Sequence, residues 1–401
     1  MSRPRAFFYS HDAYGLGHIR RTLRLATELA HRRQDATLLV ASGSPRADAL
    51  AADARIPGLD VLRLPDATRG LLYGDLPGDH ALGLPWTGVW PLRAAILAAT
   101  GRVFAPHLVH VDQAPAGYLR ELAAALDGWT ALPPDARPRL LLGLRDIPDE
   151  PWAPRRTWDR DGAHALLDRA YDRILVYGDA RICDVREVYG FSDHAAAKTT
   201  FCGYLAPPAP VVSAGAIRAR LGIGAQPMVV VTTGGGADGT PLLRAALGAL
   251  REPALTGIAA FVVAGPLLEP ATAHDLALEA ARLPDVAFVP SVPNVIEHVA
   301  AADAVVTMGG YNALTEAVAL GKRPVVVPRV RPNQPPGEQQ VRAERFAALG
   351  LAAMIHPSDL TPRLLAESIR AELDAGSSPP PILDFGGRDR AGALLADALA
   401  T

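Results

Sequence analysis

The chain has 401 residues, 49% of them hydrophobic, and a formal net charge of −2. That is enough apolar matter for two or three domains with their own cores, and too little charge of either sign to argue for nucleic acid or an acidic membrane as a partner. Two cysteines, Cys183 and Cys202, exclude a disulfide framework or a cysteine-built zinc site and suit a reducing cytoplasm.

The amino terminus runs straight into a strand-like segment, Ala6–Tyr9, with no apolar core of a signal peptide. No apolar run in the chain reaches the ~18–20 residues of a membrane span, so any membrane association is expected to be peripheral at most. The loop Ser10-His11-Asp12-Ala13-Tyr14-Gly15-Leu16-Gly17-His18 follows, then helical spacing over Ile19–Arg33 and a second strand over Thr37–Ala41. Strand, loop, helix, strand is the order of a parallel, doubly wound sheet, and a glycine loop opening a helix marks a ligand mouth. The loop is not Gly-x-Gly-x-x-Gly, and no acidic residue closes the second strand at Ala41-Ser42-Gly43, which disfavours a nicotinamide dinucleotide. His18, at the helix start, reads as a general base or as a group bonding an acceptor or diphosphate; the alternative is a histidine satisfied by backbone. His11 and Asp12 share its loop.

Val61–Leu64 is a third strand, and residues 65–92, rich in Gly and Pro with Trp86 and Trp90, read as a long loop or lid before a helix at Pro91–Gly101. The two tryptophans line an acceptor or pack on their own core. Strands at His107–Val111, Leu140–Leu144 and Ile174–Tyr177 end in Asp112, Arg145-Asp146 and Gly178-Asp179, polar groups at the strand ends where such folds bind ligands. Asp112 and Arg145 fit groups that orient a base or an acceptor; alternatively Asp112 caps a helix and Arg145 pairs with Asp146 or Asp149. Lys198–Gly203 ends the first domain. The Pro-rich run from Leu205 to Pro210 cannot continue a strand or helix and begins the linker.

A helix at Ile217–Leu221 and the β-branched strand Met228–Thr232 open the second half. The loop Thr233–Gly239, with Gly234 and Gly235, either cradles phosphate or is merely flexible, and a helix at Thr240–Leu250 follows it. Strands at Ala259–Ala264 and Val286–Val289 come next, the latter ending in Ser291-Val292. Ala304–Met308 has the composition of a strand buried on both faces. Gly309-Gly310 is a turn that lets backbone approach a ligand closely. Tyr311 and Asn312 open the next helix, with Asn312 as its cap, and free N–H groups at such a terminus attract phosphate. Glu316 lies one turn in, within reach of sugar hydroxyls, or is an exposed helix glutamate. Gly321-Lys-Arg-Pro324 leads into the strand that ends at Pro328. Arg329 and Arg331 then flank a polar loop that ends in Gln339-Gln340, either ligand-reading or solvent-facing. Residues 384–401 read as a terminal helix behind the spacer Pro379-Pro380-Pro381.

The order Gly309-Gly310, Thr315-Glu316, Gly321-Lys-Arg-Pro324 and Gln339-Gln340, running over about 65 residues, resembles the donor-binding half of GT-B glycosyltransferases, especially the MurG type of glycosyltransferase family 28. The glycine loop before His18 resembles their amino-terminal loop but departs from its Gly-Gly-x-Gly-Gly-His form, and the tryptophan-bearing segment departs too. The group-level likeness extends over most of the amino-terminal half. It implies an α/β fold with two Rossmann-like domains facing across a cleft. The expected parts are an acceptor-side domain at 1–206, a linker at 207–216, a nucleotide-sugar domain at 217–382, and a helix at 383–401 that crosses back to the first domain.

The resemblance further implies a metal-independent, inverting transfer of a sugar from a nucleotide diphosphate sugar, UDP being favoured, to a small-molecule or glycan acceptor. His18 would be the base, with Asp112 behind it, while His11, Gly15, Gly17, Arg145 and Trp86 line the acceptor and phosphate loop. Gly234, Gly235, Val292, Gly309, Gly310, Tyr311, Asn312, Glu316, Gln339 and Gln340 would bind the donor. Glu316 would grip ribose, the glutamines would read the sugar, and the Ser291–Val292 backbone would read the base. No cofactor beyond the co-substrate is expected, and helix-terminal N–H groups take the place of a cation. Two alternatives stand: a nucleotide-sugar 2-epimerase or hydrolase on the same scaffold, and a non-catalytic protein that keeps the nucleotide pocket. Oligomeric state and acceptor identity are not legible.

Overall fold

The computed structural model describes residues 3–11, 16–66, 80, 82–148, 154–207, 209–330, 334–376 and 382–400. The chain divides into two compact units. The first takes the described residues up to Pro148, those from 154 to Leu205, and those from Phe385 onward; the second takes Ala206–Asp384.

The first unit is built on a seven-stranded sheet: β1 (Arg5–Ser10), β2 (Thr37–Ser42), β3 (Leu59–Arg63), β4 (Leu108–Asp112), β5 (Arg139–Arg145), β6 (Arg173–Tyr177) and β7 (Thr199–Phe201). Their order is β3-β2-β1-β4-β5-β6-β7, and every pairing is parallel. β1 and β4 are buried almost throughout, as apolar runs covered by helices on both faces must be. The connection reverses direction between β1 and β4, and at the carboxyl ends of these two strands a doubly wound fold opens its crevice.

The second unit repeats the plan with β8 (Met228–Thr232), β9 (Ala259–Val263), β10 (Val286–Val289), β11 (Ala304–Thr307), β12 (Val325–Val326) and β13 (Ala353–Met354). Their order is β10-β9-β8-β11-β12-β13, again parallel, with the reversal between β8 and β11. Val229, Val231, Val262 and Val306 point into one apolar layer with Leu243, Leu247 and Leu365, while Val230, Phe261, Val263 and Val305 point into the other with Ile217 and Val299.

The chain returns to the first unit at its end. The helix Gly387–Ala400 lies along the helix Gly17–Arg32, with Arg388 Nε 3.5 Å from Glu28 and Arg32 3.8 Å from Asp389. Gly387 N donates to Tyr204 O at 3.1 Å, and Phe385 packs on the Tyr204 ring at 5.6 Å. The Pro379–Pro381 spacer lies outside the described residues.

Three local readings are corrected. The segment read as a lid over 65–92 gives way at Trp86 to a helix that runs to Phe104. Pro85 precedes it with the extended backbone of a cap, and Pro91 is tolerated early in the helix, where it costs one hydrogen bond. Gly101 lets the helix press against Trp129, whose Cζ2 would lie 2.5 Å from a Cβ there. The first helix of the second half starts at Ala214, inside the stretch read as linker, because Ser213 caps it by accepting from Ala216 N. Asn312 is not a cap: the helix begins at Tyr311, and Gly310 holds the cap position without a side-chain bond.

Candidate functional site

At the β1–β4 reversal of the first unit, β1 delivers Ser10 and His11, β4 delivers Asp112, and the helix Gly17–Arg32 presents His18 and Arg21 from its first turn. His18 Nδ1 lies 2.6 Å from Asp112 Oδ2. Arg21 clamps the same carboxylate, Nε donating to Oδ1 at 2.7 Å and Nη2 to Oδ2 at 2.6 Å. Asp112 is fully buried and Arg21 is 1% exposed. Burial alone would push the Asp112 carboxyl up, but the Arg21 charge and the bonds from His18 and Arg21 outweigh it and hold the group well below the usual carboxylate range. The readings of Asp112 as a helix cap and of His18 as a backbone-satisfied histidine are replaced by this buried trio.

His11 packs against His18 with ring centroids 4.1 Å apart, and Tyr118 stacks on His11 at 5.5 Å, with Trp90 5.3 Å beyond Tyr118. Burial first, then the neighbouring His18, drives the His11 pKa well below that of ordinary histidine, and Arg145 and Arg21 add to the effect. Arg145 is 6% exposed, and its backbone N–H donates to the Gln113 amide at 2.9 Å. Asp146 accepts from Tyr204 Oη at 2.8 Å and from Ile147 N. Gly17 opens the helix; Asp12 and Gly15 lie outside the described residues, as does the side chain of Trp86.

Beneath Tyr118 runs a second buried network. Glu121 receives two bonds from Arg93, at 2.5 and 2.7 Å, and one from Tyr9 Oη at 2.5 Å, while Tyr9 Oη accepts from Tyr118 N at 3.0 Å.

In the second unit the β8–β11 reversal gathers the glycine loop after β8, the Gly309–Gly310 turn after β11, and the start of the helix Glu338–Ala348. Gly309 has φ +74°, and a Cβ on it would sit 2.8 Å from Val326 Cγ1, so only glycine makes this turn without strain. At Gly310 no described atom lies within 4 Å of where a Cβ would stand, so the mouth of the helix Tyr311–Ala319 is open there. Gly310, at the cap position, brings no side chain to that helix's first turn. Glu316 is 5% exposed, which overturns the reading of an exposed helix glutamate. Gln339 accepts from Arg329 N at 3.1 Å through Oε1, which leaves its NH₂ to donate. Gln340 is 9% exposed and donates to Glu344 at 2.9 Å, which leaves its oxygen to accept further bonds. Arg329 bridges to Asp238 in the glycine loop at 2.8 Å, and Arg331 lies outside the described residues.

Gly234 and Gly235 stand on the partly open rim of that loop, whereas Gly236 is packed against Gly265, where any Cβ would meet Ala264 O at 2.5 Å. Part of the glycine content therefore serves backbone-to-backbone packing. Val292 packs against the second apolar layer.

The sequence reading passed over Arg21 and Arg342. Arg342 is fully buried, donates to Gly309 O at 3.3 Å and to Glu338 at 3.3 Å, and lies 5.6 Å from the Tyr311 ring centroid. The available signal for Arg21 was its place three residues after His18, on the same helix face. Among the described residues, no helix is long and apolar enough to cross a membrane.

Residues 229–380 match the glycosyltransferase family 28 C-terminal domain. Over 108 residues the chain is 33% identical to an uncharacterized glycosyltransferase of Methanopyrus kandleri, covering 27% of this chain and 30% of that protein. Over 162 residues it is 32% identical to the UDP-N-acetylglucosamine--N-acetylmuramyl-(pentapeptide) pyrophosphoryl-undecaprenol N-acetylglucosamine transferase of Paenarthrobacter aurescens, covering 40% of this chain and 41% of that protein. The chain thus spans less than half the length of either relative. The crystal structure of the calicheamicin glycosyltransferase superposes with a TM-score of 0.61 over 99% of this chain and 94% of that one, at 18% identity, a likeness of fold. Most of the second unit thus matches the glycosyltransferase family 28 C-terminal domain, and the chain as a whole shares the GT-B fold of the calicheamicin glycosyltransferase.

Proposed function

We propose that this chain is an inverting glycosyltransferase that moves a sugar from a nucleotide diphosphate sugar, UDP being favoured, to a hydroxyl of a small-molecule or glycan acceptor, without a divalent cation. The observation that carries the reading is the buried His18–Asp112 pair at the β1–β4 reversal, in a chain whose second unit matches the family 28 domain. The UDP preference is supported by the name of the Paenarthrobacter relative, a transferase from UDP-N-acetylglucosamine.

In this mechanism the acceptor hydroxyl gives its proton to His18, and its oxygen forms a bond to the anomeric carbon from the face opposite the leaving group. The bond from that carbon to the diphosphate oxygen breaks, and its electron pair leaves on the nucleoside diphosphate. The N–H groups of Gly310, Tyr311 and Asn312, at the start of that helix, supply partial positive charge to that anion. Glu316 accepts from ribose hydroxyls, the Gln339 NH₂ donates to a sugar hydroxyl, and the Ser291–Val292 backbone meets the base.

The test is a screen of UDP, TDP and GDP by thermal shift, then release of nucleoside diphosphate from the corresponding sugars with phenolic, lipid-linked and saccharide acceptors, each with and without EDTA. Acceptor-dependent release that resists EDTA is expected. Epimerised or hydrolysed donor without acceptor points to the epimerase or hydrolase reading, and binding without turnover in any mixture points to a non-catalytic protein.

A further inference from the structure

The trio of His18, Asp112 and Arg21 constrains where protons sit. Nδ1 of His18 and Oδ2 of Asp112 are 2.6 Å apart, a separation that requires a proton between them. The carboxyl is held ionised, so that proton resides on Nδ1. Arg21 Nη2 lies 3.0 Å from the same Nδ1, but a ring nitrogen that already carries the hydrogen shared with Oδ2 has no in-plane lone pair left to accept from it. A carboxylate held only by a histidine can turn about its Cβ–Cγ bond and offer either oxygen. The two bonds from Arg21, one to each oxygen, remove that freedom. Among the described residues, His11 at the end of β1 packs on the imidazole, with Tyr118 behind it and the Arg145 charge at the end of β5 acting on His11 in turn.

We infer that Arg21 is a positioning residue: by fixing both oxygens of Asp112 it locks His18 in the tautomer with hydrogen on Nδ1 and leaves Nε2 as the proton acceptor. The base role of Nε2 rests on the proposed transferase function; the tautomer does not.

The experiment compares wild type with Arg21→Gln and Arg21→Lys, each labelled with ¹⁵N-histidine, at neutral pH. His18 is assigned by the resonances lost in His18→Gln. In the wild type, His18 is expected to show a protonated Nδ1 and a pyridine-like Nε2. In both variants the two nitrogens are expected to move toward averaged values, because neither side chain binds both oxygens. Alongside, acceptor-dependent release of UDP, with whichever acceptor the wild type uses, should fall about tenfold or more in Arg21→Gln while UDP affinity by calorimetry is unchanged. Wild-type protein with hydrogen on Nε2 overturns the inference, and so does an Arg21→Gln variant that keeps the wild-type tautomer while losing activity. Should Arg21→Gln not fold, the wild-type spectrum and the lysine variant still decide. A wild type with the expected tautomer that binds no UDP, TDP or GDP counts against the transferase reading and leaves the inference intact.

Discussion

Arg93 and Glu121 meet through two hydrogen bonds, Nε to Oε2 at 2.5 Å and Nη2 to Oε1 at 2.7 Å, with both residues at most 2% exposed. Such a pair is worth little against an apolar replacement, but removing one partner strands the other's charge. Arg93→Met should therefore cost about 3–5 kcal/mol in urea denaturation, and the double change Arg93→Met with Glu121→Leu should recover much of it. A double variant no more stable than the single one refutes this account.

His110, on β4, contacts Tyr177 Oη at 2.8 Å through Nε2, while its Nδ1 is buried with no partner among the described residues. Burial pushes its pKa down to about 4 from an ordinary 6.5; Asp112 opposes this and Arg21 adds to it. The unfolded chain therefore takes up this proton at a higher pH than the native state does. The stability contributed is complete above the unfolded value and is lost as pH falls from about 6.5 toward 4, by roughly 3 kcal/mol. Urea melts at pH 7 and pH 4.5 should show a smaller acid loss for His110→Gln than for the wild type. Equal losses would remove the histidine from the explanation.

Neighbouring glycines of the donor-side turn should respond differently. Gly309→Ala forces a side chain to φ +74° and against Val326, at a cost of about 1–3 kcal/mol visible in thermal melts. A Cβ at Gly310 meets no described atom within 4 Å, so the fold should tolerate Gly310→Ala while UDP affinity drops. A variant at Gly310 that binds UDP as the wild type does would place the ligand elsewhere.

The candidate groups of the two units should separate kinetically. His18→Ala is expected to lower turnover by about 10²–10⁴ with UDP affinity unchanged, and Glu316→Ala to weaken UDP by about tenfold or more through lost hydroxyl bonds. Equal losses of turnover and affinity in His18→Ala argue against the base role. An unchanged calorimetric constant for Glu316→Ala argues against ribose contact.

Much of the α/β plan was legible because parallel strands buried on both faces announce themselves as short β-branched runs. Met228–Thr232, buried throughout, and the half-buried edge strand Val286–Val289 were bounded by the sequence as the structure bounds them. Trp86–Phe104 was not, because Pro and Gly near a helix start look the same as in a loop. Asn312 misled for a related reason: helix register is set by the backbone of Gly309–Gly310, and the nearest good capping side chain simply falls one position inside. In the candidate site His18 and Asp112 could be named from position alone. Arg21 could not, since its partner sits 91 residues away on another strand and only the folded sheet brings the two together.

The closing helix Gly387–Ala400 belongs to the unit that the chain began. During synthesis the second unit has all of its residues before the first does. The flank of Gly17–Arg32 around Glu28, where Gly392 leaves room only for a hydrogen, waits for the helix Gly387–Ala400 to emerge from the ribosome. A chain terminated before Gly387 would thus leave a bare seam along Gly17–Arg32, a ready mark for chaperones and proteases.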